Sequence, residues 1–246
     1  MINKNLILNV YEDKFLKSKL STQLLYGDNF KIIKKFKNSF KIKSLFDGYF
    51  GYIAKQKLHV SVKPTHKVAS VCANLYSKPN KNFKLKKKIG FASFINVEKN
   101  ENKFCGFDKY WIKKSDLDPI NKKSQIFSNV KLFENIKYKW GGNSYKGIDC
   151  SALIQVFFKY NHLYCPRNSK DQLRYFKNVK KTAKFVKNQL IFWKGHVAIC
   201  LNKRLLIHAY GPKKKVIIMD IKKTIDQIKN KSKLSVIARK KINVIR

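Results

Sequence analysis

Residues 6–118 consist of short apolar runs separated by polar or glycine-containing breaks, and each run has the length of a β-strand. Within residues 6–58 the runs are LILNVY, QLLYG, FKIIKKF, SFKIKSLF and GYFGYI. FKIIK and FKIKSLF alternate apolar and polar residues with the period of two that half-buried strands show. Several strands at this spacing predict a small β-barrel.

Residues 64–118 continue the same pattern with KVASVCANLYSKP, KKIGFASFINVEKN and KFCGFDKYWIKKSDL. The closing phrases of the two segments, GYFGYIAKQKL and FDKYWIKKSDL, match loosely. Such a weak internal repeat favours two related barrels in tandem over one larger β domain. We predict barrels over residues 1–60 and 61–119.

The pattern changes after residue 120. Residues 123–137 carry a stripe of Ile126, Val130, Phe133 and Ile136 that predicts an amphipathic helix. A glycine-rich break, WGGNSYKG, leads into the apolar segment IDCSALIQVFFKYN, which predicts a second helix.

Four strand-like runs follow that helix: QLIFW, HVAICL, RLLIHAY and KVIIMD, with LSVIAR as a candidate last strand. A helix followed by antiparallel strands is an α+β layout, and we predict that it forms one domain over residues 120–246.

The chain carries 55 Lys plus Arg residues against 14 Asp plus Glu, a formal net charge of +41. A nucleic-acid binder is one interpretation, because Lys and Arg neutralise phosphates. The basic residues are mostly lysines spread along the whole chain, without an arginine-rich arm, so compositional drift is the favoured interpretation and no specific nucleic-acid partner is expected. With 44% hydrophobic residues, the chain is not a disordered one.

The N-terminus lacks the apolar core of a secretory signal, and no apolar run reaches the roughly 18 residues of a transmembrane helix. The five cysteines are scattered without CxxC pairs, which is typical of reduced cysteines, so a cytoplasmic location is expected. No Cys/His set has zinc-ligand spacing, and no metal or cofactor is expected. Oligomeric state stays open.

Cys150 stands at the predicted start of the second helix, where Asp149 or Ser151 is suited to accept from the first free amides. Unpaired N–H groups at a helix N-terminus favour a thiolate and can hold an oxyanion. The alternative is that Cys150 is a small buried residue, as most free cysteines are.

Two histidines lie on adjacent strand-like runs. If Leu201 to Lys203 form a three-residue hairpin loop, His196 lies opposite His208 on the face that also holds Ala198. His196 then acts as a base toward Cys150 while His208 orients it, although two such histidines are more often a partly buried pair.

The stretch YKWGGNSYKGIDCSALIQVFF resembles the nucleophile segment of the NlpC family of cell-wall endopeptidases, whose pattern is Tyr, any residue, Trp-Gly-Gly, then Asp-Cys-Ser-Gly-Leu. PRNSKDQ resembles the family's Pro-Arg-Asp-Ser segment, and HVAICL with LLIHAYG resembles its two histidine strands. Departures are Ala152 for glycine, Asn168 for aspartate, and Asn188-Gln189-Leu190 for Gly-Asp-Leu.

The resemblance implies a papain-like cysteine peptidase domain with Cys150, His196 and His208 as catalytic residues. QLLYGDNFKII and DGYFGYI resemble the bacterial SH3-like domains that precede it in some members. This architecture implies cleavage of the γ-D-glutamyl–diaminopimelate bond in murein-derived peptides with a free N-terminal L-alanine. Matching positions imply substrate binding by Tyr138, Asp149, Ser151 and Ser169, with Asp28 and Tyr52 as candidates from the first barrel.

Two other functions stay open. A protein with SH3-like domains can bind wall fragments or another polyanion without turnover. The same peptidase fold can also serve an amidase or acyltransferase that acts on another amide.

Overall fold

The structure, a computed structural model, describes residues 1–179 and 184–242. Its first sheet is antiparallel and has one strand on each of the five apolar runs of residues 6–58. The strands are β1 (Ile7–Tyr11), β2 (Leu20–Leu25), β3 (Phe30–Lys35), β4 (Ser39–Ser44) and β5 (Phe50–Ala54). They lie in the order β2-β1-β5-β4-β3.

Strand β4 shows how the alternating sequence produces this sheet. Phe40 and Ile42 are buried, whereas Lys41 and Lys43 between them remain partly exposed. The buried side chains pack into a small core with Val10, Leu24, Phe30 and Ile53. One face of the sheet therefore covers a core and the other faces solvent, as expected of half-buried strands.

Residues 66–119 form two further sheets. Their strands are β6 (His66–Val68), β7 (Cys72–Tyr76), β8 (Lys84–Gly90), β9 (Phe94–Ile95), β10 (Lys99–Glu101), β11 (Phe104–Phe107), β12 (Tyr110–Lys113) and β13 (Leu117–Pro119). The orders are β10-β11-β12-β7-β8 and β13-β6-β9, and short 3-10 helices span Lys81–Phe83 and Lys114–Asp116. Tyr26 of the first segment packs into this core and donates a hydrogen bond to Asp108. The division at residue 60 stays a prediction.

Over the described residues after 120, three α-helices combine with a ribbon and a six-stranded antiparallel sheet, which confirms the predicted α+β class. The ribbon is β14 (Asn143–Ser144) with β15 (Gly147–Ile148), and the helices are α1 (Cys150–Tyr160), α2 (Ser169–Tyr175) and α3 (Ile221–Ser232). The sheet contains β16 (Lys177–Asn178), β17 (Gln189–Trp193), β18 (His196–Cys200), β19 (Leu205–Tyr210), β20 (Lys215–Asp220) and β21 (Ala238–Lys241).

The sheet order is β16-β21-β17-β18-β19-β20. Strand β21 overlaps only the end of the predicted run LSVIAR. The predicted domain 120–246 includes residues 180–183 and 243–246, which lie outside the described part of the chain, and its boundaries stay a prediction. No helix in the described ranges is long and apolar enough to cross a membrane.

The helix predicted over residues 123–137 is wrong. That segment contains turns and a short 3-10 helix, Val130–Phe133. Phe127 and Asn135 both have a φ of 67°, a left-handed conformation that an α-helix cannot contain. The apolar residues of this stripe nevertheless pack into the core: Ile126, Val130 and Phe133 are buried, and Ile136 is partly buried. The pattern therefore indicates burial in the core rather than an α-helix.

Helix α1 is buried on every side. All eleven of its residues are buried, and it packs against β18 and β19 of the six-stranded sheet. Phe91, from the segment before it, stacks on Tyr160 at a ring-centroid distance of 4.5 Å. A helix surrounded in this way has a fixed position, and so does any side chain at its N-terminus.

A buried ion pair connects α1 to the first sheet. The Lys159 ammonium lies against the Asp28 carboxylate, and both side chains are almost inaccessible. The second Asp28 oxygen accepts a hydrogen bond from the Leu25 amide at 2.8 Å. Burial raises the pKa of the Asp28 carboxyl, and the Lys159 ammonium opposes that rise.

Removing either partner of this pair leaves a buried charge alone. We expect Asp28→Asn or Lys159→Met to lower the free energy of unfolding by about 3 kcal/mol. The double variant Asp28→Asn/Lys159→Met should lose much less than the sum, because no buried charge is left unpaired. Urea unfolding measures all three, and losses that simply add would contradict the expectation.

Candidate active site

The glycine-rich segment before α1 follows the backbone of the first sheet closely. Gly141 has a φ of +69°, and a Cβ there would lie 2.3 Å from the Leu20 carbonyl oxygen. Next to it, the Asn143 side chain donates to the Gln23 carbonyl at 2.8 Å, and its own amide donates to the Gln23 side chain at 3.1 Å. The segment that leads into α1 is therefore held against strand β2.

Helix α1 begins at Cys150 because Asp149 caps it. The Asp149 side chain accepts from the Ala152 amide at 2.9 Å, as an N-cap residue does. This settles the choice between Asp149 and Ser151 in favour of Asp149. Cys150 is thus the first helical residue, at the positive end of the helix dipole.

The Cys150 sulfur lies against the backbone that surrounds His196. Its Sγ is 4.0 Å from the Gly195 carbonyl oxygen, and the amides of Val197 and Ser151 are close enough to lower the thiol pKa. Burial outweighs them and, with the Asp149 charge, raises the pKa of Cys150 to about 12. This shift is opposite in direction to the one expected from the helix N-terminus alone, because burial outweighs the helix amides.

The two histidines share one face of the sheet, but not in the predicted register. The observed pairs are Ile199 with Ile207 and Cys200 with Leu206, which continue to His196 opposite Tyr210. The expectation that His196 and His208 are directly opposite is therefore wrong by two residues. They are diagonal neighbours.

The register shifts because the hairpin loop is displaced by one residue. The Leu201 amide donates to the Leu205 carbonyl at 2.8 Å, which leaves residues 202–204 as the loop. The Asn202 side chain holds this turn by accepting from the amides of Arg204 and Leu205, both at 2.8 Å. A one-residue displacement moves partners by two, so each side chain keeps its face.

The imidazoles are in direct contact. His196 Nε2 lies 2.9 Å from His208 Nδ1, and His208 Nε2 lies 3.4 Å from the Met219 sulfur. His208 is fully buried and stacks on Tyr210 with the rings 11° apart. Burial lowers the pKa of His196 to about 4 and lowers the pKa of His208, on which the His196 charge acts in the same direction.

The contacts of the two rings fit one pair of tautomers. Because a thioether sulfur only accepts, a hydrogen bond to Met219 requires the proton on His208 Nε2, which leaves His208 Nδ1 with a free lone pair. That lone pair accepts from His196 Nε2–H, which leaves Nδ1 of His196 unprotonated. His196 is therefore held in the form that can take a proton through Nδ1.

Arg167 connects the helix cap to the first sheet, and sequence reasoning missed it. Its guanidinium reaches both Asp149 carboxylate oxygens, at 3.1 and 2.6 Å, and the Ser151 hydroxyl at 3.1 Å. Its Nε donates to Thr22 of strand β2 at 2.7 Å. The signal was present in PRNSKDQ, where Arg167 follows a proline, but its buried partner Asp149 is distant in sequence.

A cavity of about 320 Å³ opens over the Cys150 sulfur. Four predicted substrate-binding residues line it: Tyr138, Asp149, Ser151 and Ser169. The other lining residues, which were not predicted, are Glu12, Ser21, Tyr49, Trp140, Arg167, Asn168, Lys170 and Gly195. Burial, assisted by the Asp149 charge, raises the pKa of Tyr138 to about 12, so its phenol remains a hydrogen-bond donor.

Asp28 and Tyr52 are not brought to this cavity, and their prediction as substrate-binding residues is corrected. Asp28 turns inward toward Lys159. Tyr52 is paired with Tyr11 across the sheet and packs on the Phe36 ring. Tyr49, from the same phrase DGYFGYI, lines the cavity instead, together with Glu12. Within the described ranges, no three His, Cys, Asp or Glu side chains cluster as metal ligands would.

A cysteine at a helix N-terminus beside two strand-borne histidines, on an α+β fold, is the arrangement of papain-like cysteine hydrolases. Residues 135–232 match the NlpC/P60 family, and residues 16–58 match the bacterial dipeptidyl-peptidase SH3 domain. The chain therefore carries an NlpC/P60 domain, of a family of cell-wall peptidases, preceded by a bacterial SH3 domain. The predicted resemblance is confirmed; the presence of a second SH3-like domain stays a prediction.

Relatives extend the comparison. A γ-D-glutamyl-L-lysine dipeptidyl-peptidase from Bacillus subtilis is 26% identical over 198 residues, 72% of this chain and 66% of the relative. Murein DD-endopeptidase MepS/Murein LD-carboxypeptidase from Escherichia coli is 28% identical over 95 residues, 37% of this chain and 50% of the relative. This chain thus spans between half and two thirds of these relatives' lengths.

A crystal structure of an NlpC/P60 family protein from Bacillus cereus has the same fold. It superposes with a TM-score of 0.71 at 23% identity, over 82% of this chain and 77% of that one.

Arg167 makes hydrogen bonds that a lysine cannot reproduce. We expect Arg167→Lys to lower the free energy of unfolding by about 2 kcal/mol, because the bidentate contact with Asp149 is lost in a buried site. Arg174→Lys is the matched control, since exposed Arg174 lies 4.0 Å from Asp171, and it should change stability by less than about 0.5 kcal/mol. Equal effects of the two substitutions in denaturant titrations would contradict this role of Arg167.

Proposed function

We propose that this chain is a cysteine endopeptidase that hydrolyses the γ-D-glutamyl–diaminopimelate bond of short murein peptides with a free N-terminal L-alanine. The observation that carries the proposal is that Cys150 lines the cavity with its sulfur 4.0 Å from the carbonyl oxygen of Gly195, the residue before His196, and that His196 contacts His208. A non-catalytic binding protein would have no need of the aligned imidazoles.

In the proposed mechanism, the Cys150 thiol and the His196 imidazole are both neutral before the reaction begins. Cys150 attacks the γ-glutamyl carbonyl while His196 takes the thiol proton through Nδ1, and the His208 contact stabilises the imidazolium that forms. N–H groups at the start of α1 and the Tyr138 phenol, which lines the same cavity, would donate to the oxyanion. His196 then gives the proton to the leaving amine, and a thioester remains on Cys150. Water, activated by His196, releases the acid product.

The charges that line the cavity favour a peptide with a free amine. Arg167 neutralises Asp149, whereas Glu12 lines the wall on the side of the first sheet and has no ion-pair partner among residues 1–179 and 184–242. This carboxylate would attract the L-alanine ammonium, and the first sheet would limit the length of peptide beyond it. Ser151 and Ser169 offer hydroxyls to the D-glutamyl group, and Lys170 offers a counter-charge for its carboxylate.

The leaving group requires a direct test. The B. subtilis relative is named for a γ-D-glutamyl-L-lysine bond, and diaminopimelate differs from lysine by one added carboxylate. Both amines leave by the same chemistry, so both peptides belong in the assay. We place the enzyme in the cytoplasm, as a recycling enzyme for released peptides, because all five cysteines are free thiols and thiols stay reduced there.

The decisive experiment is mass spectrometry of L-Ala-γ-D-Glu-diaminopimelate after incubation with the protein. The parent should release free diaminopimelate, and Cys150→Ala should release none, because no nucleophile remains. Cys72→Ala is the matched control and should retain full activity, since Cys72 lies outside the cavity. Release by Cys150→Ala would overturn the mechanism. Release of lysine from the L-lysine peptide alone, or of no amine from either peptide, would contradict cleavage of the γ-D-glutamyl–diaminopimelate bond. Another amide would then be the favoured substrate.

Met219 is proposed as a positioning residue for His208. Met219→Leu keeps the volume but removes the sulfur acceptor, so His208 would populate the tautomer that leaves His196 unable to take a proton. We expect kcat to fall by about 3- to 10-fold with KM unchanged, within the usual contribution of general base catalysis.

Two further variants separate this role from packing. Met219→Gln should restore kcat, because its side-chain oxygen again accepts from His208. Ile217 lies on the same strand as Met219 and pairs with His208 across the sheet, and Ile217→Leu should have little effect. A mixture of imidazole tautomers in the nitrogen NMR spectrum of Met219→Leu is expected, and its absence would contradict the role.

A further inference from the structure

Helix α1 carries a row of buried polar side chains on one face. Ser151, Gln155 and Lys159 follow one another at a spacing of four residues, and each is exposed by 6% or less. Residues at this spacing lie above one another on a helix. Burying a polar side chain costs free energy unless it is hydrogen-bonded, so each member of the row needs a partner.

The partner of Gln155 is the turn between β4 and β5 of the first sheet. Gln155 Nε2 donates to Asp47 Oδ2 at 2.8 Å and to the Cys165 carbonyl at 3.0 Å. These bonds determine which end of the amide carries the nitrogen, because the side-chain oxygen in its place would face two acceptors. Over residues 1–179 and 184–242, Asp47 has no ion-pair partner. The contact is therefore a directed hydrogen bond between the nucleophile helix and the first domain.

The other Asp47 oxygen holds the end of the turn that reaches the cavity. Asp47 Oδ1 accepts from the Tyr49 amide at 3.1 Å, and the Tyr49 carbonyl accepts from the Ser44 amide at 2.9 Å. A turn of this kind needs only the first of the two carboxylate oxygens, so it does not account for the bond from Gln155. Because Tyr49 lines the cavity over Cys150, one carboxylate connects the nucleophile helix to the cavity wall.

The next member of the row makes a comparable contact that does not lead to the cavity. Lys159 pairs with Asp28 of the first sheet, and the second Asp28 oxygen accepts from the amide of Leu25. Leu25 is buried in the core, and none of these three residues lines the cavity. Asp28 therefore holds the same two parts of the chain together without positioning a side chain of the cavity wall.

We propose that Asp47 and Gln155 are positioning residues for Tyr49, and that their contact sets the affinity of the cavity for its peptide. The substrate in this inference rests on the proposed peptidase function. With the contact intact, the Tyr49 phenol is held in place before the peptide arrives; without it, binding must order the turn at a cost in entropy. The bond between His196 and His208 involves neither positioning residue, so the chemical step is expected to be unchanged.

The test removes this contact with little change in shape. Asp47→Asn keeps the size of the side chain but replaces one acceptor oxygen by a donor, so it can accept from Tyr49 or from Gln155 but not from both. Gln155→Met keeps an unbranched side chain and removes the donor. Asp28→Asn is the matched control, because it breaks a buried contact of the same helix face. Circular dichroism verifies that each variant is folded at the assay temperature.

Kinetics with L-Ala-γ-D-Glu-diaminopimelate separate positioning from stability. Asp47→Asn and Gln155→Met should each raise KM about 5- to 10-fold and leave kcat within about 2-fold, as loss of a binding contact does. The double variant should raise KM no further than the more affected single variant, because both substitutions remove one contact. Asp28→Asn should leave KM and kcat within about 2-fold. Equal KM changes in Asp28→Asn and Asp47→Asn, or a fall in kcat without a rise in KM, would overturn the proposal.

A second measurement follows Tyr49 without any substrate. In protein labelled with 3-fluorotyrosine, the fluorine NMR signal that Tyr49→Phe lacks belongs to Tyr49. This signal should shift in Asp47→Asn and Gln155→Met and stay in place in Asp28→Asn. If the parent releases no amine from the peptide, the proposed function fails, but the signal still tests the positioning. An unchanged Tyr49 signal in Asp47→Asn overturns the inference whatever the activity of the parent.

Discussion

The ion pair between Asp149 and Arg167 connects the parts on which the site depends. The Asp149 carboxylate caps α1 and so determines that Cys150 is the first helical residue. The Arg167 guanidinium neutralises that carboxylate and also holds Thr22, on a strand of the first sheet. Such a pair is worth little as net stabilisation, but loss of one partner leaves a charge in a buried site. Its value here is geometric, because one contact aligns the nucleophile, the cavity wall and the preceding domain.

Burial also determines the charge state from which chemistry starts. The thiol pKa of Cys150 is raised and that of the His196 imidazole is lowered, both mainly by loss of solvent. A neutral pair costs less to bury than a thiolate and an imidazolium. In the proposed mechanism, charge develops only as Cys150 attacks a substrate carbonyl, beside the N–H groups at the start of α1. In the same mechanism, the Met219–His208–His196 series would keep the lone pair of His196 Nδ1 available without a carboxylate.

Local patterns in the sequence predicted much of the fold, the position of Cys150 at the start of α1 and the shared face of His196 and His208. Alternation identified the strands of the first sheet, and the change from a glycine-rich turn to an apolar run identified the start of α1. The alternation of side chains along two adjacent strands was enough to place His196 and His208 on one face. It did not predict which residues pair across the two strands, because the Asn202 side chain moves the turn by one residue. An apolar stripe over residues 123–137 was read as a helix because irregular chain on a core shows the same pattern.

Contacts between distant segments could not be predicted. Arg167 and Thr22 are 145 residues apart, and nothing local to either one indicates the other. Tyr49 rather than Tyr52 faces the cavity because of how the first sheet lies on the peptidase domain, and Asp28 is turned inward by the buried Lys159. These are the residues for which only the three-dimensional structure identifies the role.

The close approach of Gly141 to the Leu20 backbone has a consequence for how such proteins diversify. Bacterial SH3 domains are exchangeable modules when a flexible linker joins them to their neighbours. Here the module's strand forms part of the wall beside the nucleophile, and no side chain fits between them. An ancestor could have shuffled the two domains freely, but a descendant with this contact inherits them as one unit.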